Sequence, residues 1–79
     1  MTREEFIKFI ESIGFKYIEF IGIKYNDVIV YGYKEYIISL YSKDYDFYNG
    51  SEWFSSIKLD DLTPLKQIDR SYKLKNILG

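Results

Sequence analysis

Apolar residues return every three or four positions at the start of the chain and every second position after that. Phe6, Phe9, Ile10 and Ile13 fall on one side of a helix. The punctuation agrees: Thr2 followed three residues later by Glu5 forms a capping box, and Gly14 stands where a helix-ending glycine belongs. The spacing predicts a helix over about Arg3 to Ile13.

From Lys16 to Lys24 the period is two, with Ile18 and Phe20 on one face and Tyr17, Ile21 and Ile23 on the other. Asn26-Asp27 predicts a turn, Val28 to Tyr33 a strand, Gly32 to Glu35 a second turn, and Tyr36 to Tyr41 a further strand. Tyr48-Asn49-Gly50-Ser51 is the strongest hairpin signal, because Asn-Gly suits both central positions of a type I′ turn. A turn centred there opposes Asp46 to Trp53 and Phe47 to Glu52. It puts Tyr45, Phe47 and Phe54 on a core face and Asp44, Asp46, Tyr48, Ser51, Trp53 and Ser55 on a polar one. A β-bulge near Phe54 turns Trp53 inward instead, beside Ile57 and Leu59.

Near the end, Thr63 and Pro64 predict a second helix, with Thr63 as its cap and Pro64 in the first helical position. Its apolar stripe does not run straight. Leu65, Ile68 and Tyr72 share one side, whereas Leu74, Ile77 and Leu78 fall on the opposite one. Either the helix breaks near Ser71 or its last turns face something other than this core. The expectation is one α+β domain over residues 1–79: an N-terminal helix, an antiparallel β-meander of about four strands and a C-terminal helix.

Composition changes this picture in two ways. The chain has 79 residues, neither Cys nor His, and a formal charge of −1, so disulfides, thiolate metal sites and the usual imidazole base are all missing. Its 20% aromatic content compensates for the short length, since each ring can bury roughly 150–250 Å². Both faces of the first and third predicted strands carry large apolar groups, and two short helices can cover one face. No apolar run approaches a bilayer span, and the N-terminus does not resemble a signal peptide, so a cytoplasmic protein is expected.

Candidate chemistry is sparse. Asp44-x-Asp46-x-x-Asn49-Gly50-x-Glu52 fails the spacing of a calcium loop. No glycine-rich phosphate loop occurs, and the serines have no histidine to activate them. No enzyme, cofactor or metal is expected. Charge is uneven: 44–61 holds five acids and one Lys, while 63–79 holds four cations and one acid. A protein-binding surface follows, with Tyr45, Tyr48 and Trp53 as anchors and Asp44, Asp46 and Glu52 as an acidic rim. The competing class is a nucleic-acid module, using sheet tyrosines for stacking and Arg70, Lys73 and Lys75 for phosphates. Net charge near zero counts against it. A third is a homodimer pairing aromatic faces or the Leu74, Ile77 and Leu78 tails.

The absence of Ala beside abundant Ile, Lys and Tyr points to an AT-rich genome. With its small size and helix–meander–helix layout, the chain resembles the accessory proteins of bacteriophages, among them anti-CRISPR and other anti-defence inhibitors. That resemblance implies a non-enzymatic protein that binds a host nuclease and blocks or destabilises it, while the acidic rim suits a basic, nucleic-acid-binding partner. It transfers no site residues.

Overall fold

The computed structural model describes residues 1–23, 26–66 and 68. Helix α1 spans Arg3–Ile13, and both halves of its capping box form. The Glu5 amide donates to the Thr2 hydroxyl at 3.1 Å, and the Thr2 amide donates to the Glu5 carboxylate at 3.0 Å. At the other end Gly14 adopts φ 130°. Its amide and that of Phe15 donate back to the Glu11 and Ile10 carbonyls, closing a Schellman motif. A Cβ on Gly14 would sit 2.9 Å from the Tyr33 ring, so both backbone and packing require glycine there.

Five strands follow as one antiparallel meander: β1 Lys16–Ile23, β2 Asn26–Tyr33, β3 Tyr36–Leu40, β4 Asp44–Asn49 and β5 Glu52–Lys58, in the order β1-β2-β3-β4-β5. The sheet is one strand wider than the four expected, because both arms of the last hairpin are full strands. Asn26 and Asp27 lie inside β2, paired with Ile23 and Gly22, rather than forming a turn. Gly32 is also a strand residue, opposite Ile37, and the β2–β3 turn is centred on Lys34-Glu35.

Phe6, Ile10 and Ile13 of α1 enter a core with Tyr31, Ile38, Leu40, Tyr45 and Phe47, all from one face of the sheet. The Phe6 and Tyr45 rings approach to 4.6 Å between centroids. Leu59, Leu65 and Ile68 close the same core. Residues 63–66 form a helical turn, entered differently from the expectation. Thr63 is its first helical residue and not its cap; the Asp61 carboxylate accepts from the Thr63 amide at 3.2 Å, while the Leu62 carbonyl accepts from Lys66. The expected continuation of this helix, and with it Tyr72, Leu74, Ile77 and Leu78, lies outside the described residues.

Two bulges set which side chains share a face. In β1 the register shifts between Tyr17 and Glu19, so Tyr17 and Phe20 oppose Tyr31 and Ile29 on the α1 side. Ile18 goes to the other side and lies over Gly32, its Cδ1 2.5 Å from where a Gly32 Cβ would be. Strict alternation had placed Ile18 with Phe20; one inserted residue separates them. Ile21 opposes Val28 on that second face, where Val28 and Val30 are buried apart from the main core.

Candidate functional site

The β4–β5 hairpin turns one residue later than Asn-Gly predicts. Asn49 pairs with Glu52, Tyr48 with Trp53 and Phe47 with Phe54, so the central residues are Gly50 and Ser51. Gly50 takes φ 59°, filling the first central position that a type II′ turn reserves for glycine. Like now meets like. Tyr48 and Trp53 stack at 5.9 Å and 3° on the second face, and Phe47 and Phe54 stack at 6.4 Å on the first. The register with Asp46 opposite Trp53 would have broken both pairs.

Beyond Phe54, β5 carries an extra residue and Tyr45 pairs with Ile57. Ser56 occupies the bulge at φ 56°. Asp46 holds it there: its carboxylate accepts from the Ser56 amide at 2.9 Å and from the Tyr41 hydroxyl at 3.2 Å. The bulge near Phe54 therefore exists but leaves the indole outside, with Trp53 62% exposed. What it brings toward the core is Ile57, across from Tyr45.

These facts redistribute the expected anchors. Tyr45 is no anchor: it is 0% exposed, and its hydroxyl donates to the Asp61 carbonyl at 2.6 Å. Burial pushes its phenol pKa far up, with the nearby Asp61 charge adding to the shift. Asp46 is no rim residue either, being 8% exposed and committed to the bulge. Asp44 is half-buried opposite Lys58, whereas Glu52 is exposed beside the turn. Phe54, expected in the core, is 43% exposed at the sheet edge. Arg70, Lys73 and Lys75 lie outside the described residues.

Tyr48 and Trp53 remain, and they belong to something wider than the hairpin. Gly32 opposes Ile37, Ile37 opposes Tyr48, and Tyr48 opposes Trp53. Ile18 reaches over Gly32 from β1. An apolar band, Ile18–Gly32–Ile37–Tyr48–Trp53, thus crosses all five strands on the face opposite α1. Its two ends are half-exposed or more, at Ile18 and Trp53. Glycine at position 32 allows this, since its bare backbone makes room for the Ile18 side chain. Alternation alone does not join Ile18, Gly32 and Ile37 into one band, because the band depends on the β1 bulge. Large apolar residues on both faces of β1 and β3 are the sequence signal of that second apolar face.

Among the described residues no group of three acids converges to hold a metal ion, and no helix is long and apolar enough to cross a membrane. No family model, curated protein or solved structure matches the chain.

Proposed function

We propose that this domain is a non-enzymatic protein-binding module, an inhibitor or adaptor, which docks through the apolar band ending at Trp53. The observation supporting it is the exposed indole stacked on Tyr48 at the end of that band. An aromatic pair of this kind, on a rigid sheet and with apolar neighbours, matches the make-up of interface hot spots. The acidic 44–61 segment, net −4, favours a basic partner surface and steers its approach. The same net negative charge disfavours nucleic acid, whose phosphates it repels. Combined with the likeness to phage anti-defence proteins, the partner class is a basic effector nuclease of the CRISPR type, in the cytoplasm of an infected bacterium.

The test is binding and inhibition against purified CRISPR effector nucleases. The wild-type chain should bind one and suppress its DNA cleavage, and Trp53→Ala and Tyr48→Ala should each lose most of that affinity while staying folded. Salt-sensitive binding to single-stranded RNA or DNA, with no protein partner, would replace this function with the nucleic-acid one.

A further inference from the structure

The β4–β5 hairpin has a second side. On the α1 face a groove of about 880 Å³ lies between β5 and the helical turn at 63–66. Phe47, Phe54 and Ile57 line it from the sheet, Pro64 from the helical turn, and Glu52 and Asp61 supply carboxylates. Among the described residues no Lys or Arg lines it. The volume falls within the range of sites that bind ligands, and the apolar lining includes a ring that is 43% exposed.

We propose that this groove binds a short apolar segment of a partner protein that carries Lys or Arg beside its apolar side chains. Two features select that occupant. The apolar lining favours aliphatic or aromatic side chains by burial, and the two carboxylates, Asp61 with Lys66 nearby, favour cations over anions. Asp61 stays ionised, because the Thr63 hydroxyl and amide hold its carboxyl below the usual carboxylate range. A second copy fits poorly, since it would bring its own acidic hairpin against this one. The groove opens on the face of the hairpin opposite the band and shares Trp53 with it at the edge. It stands whether or not the band docks a partner.

The probe is an N-acetylated, C-amidated octapeptide of alternating leucine and lysine, titrated into the full chain. Trp53 is the single tryptophan and borders the groove, so its emission reports occupancy. Saturable binding is expected, weaker by about threefold to tenfold in a Glu52→Gln, Asp61→Asn double variant, the effect of one or two exposed ion pairs. Phe54→Ala should weaken it as well, Ile18→Ser on the band should leave it unchanged, and a leucine–glutamate peptide should not bind. Absence of saturable binding, equal affinity for the double variant, or loss through Ile18→Ser in place of Phe54→Ala would overturn the proposal.

Discussion

Replacing Trp53 and Tyr45 by Ala, one at a time, separates a ring held for docking from a ring held for folding. Tyr45 is 0% exposed, packs on Phe6 at 4.6 Å and donates its hydroxyl to the Asp61 carbonyl. Truncating a buried aromatic costs about 3–5 kcal/mol, and the orphaned carbonyl adds about 1 kcal/mol. A 79-residue domain at the usual 0.05–0.15 kcal/mol per residue has a total stability of roughly 4–12 kcal/mol. Tyr45→Ala should therefore remove roughly a third to all of that stability. Trp53 is 62% exposed and its described ring contact is the Tyr48 stack, so its loss should cost about 1 kcal/mol, the value of one cross-strand aromatic pair. Urea titration followed by far-UV circular dichroism reads both variants without relying on the deleted indole. If Trp53→Ala destabilised as much as Tyr45→Ala, the indole would be structural and the docking argument would fail.

Further expectations concern the bulge, the helix end and pH. Asp46→Ala should cost about 2 kcal/mol by orphaning the Ser56 amide, whereas Ser56→Gly should raise the melting temperature by relieving about 1 kcal/mol of left-handed strain; the opposite order in thermal melts would show that Asp46 does not hold the bulge. Gly14→Ala should destabilise by 1 kcal/mol or more, roughly, because φ 130° and the Tyr33 ring both resist a Cβ. Burial raises the phenol pKa of Tyr31, Tyr41 and Tyr45. Folding keeps these groups protonated, so their stabilisation is complete below the ordinary pKa near 10 and falls as pH rises above it. Denaturant midpoints should drop steeply above about pH 10, and a Tyr45→Phe variant should lose less of its stability there than wild type. At the acid end Glu5 and Asp61 titrate low, through hydrogen bonds from Thr2 and Thr63, so their contribution is present above about pH 4.5 and lost as pH falls through their lowered values.

Helix α1 was legible to the residue because its signals are local: Thr2 and Glu5 satisfy each other, and Gly14 supplies the one conformation that ends the helix. The hairpin was legible as an element but not in register. Gly50 takes a positive φ in either turn, so local preference does not choose between Asn49-Gly50 and Gly50-Ser51. The choice falls to pairs across the strands, and matching Tyr48 with Trp53 and Phe47 with Phe54 was the clue. The two bulges are harder to read, since one depends on a carboxylate ten residues away in sequence binding the Ser56 amide. They decided the site: the β1 bulge carries Ile18 onto the band, and the β5 bulge takes Asp46 out of the rim. The anchoring role given to Tyr45 failed for a related reason, because its hydroxyl finds a backbone carbonyl inside the core and needs no solvent.

Docking through Trp53 is tested most directly by the affinity of Trp53→Ala for the nuclease that the wild-type chain binds, measured by isothermal titration on protein whose circular dichroism matches wild type. A loss of about 30-fold or more, the effect of removing an interface anchor worth about 2 kcal/mol, is the predicted result. Equal affinity in the two proteins would contradict it.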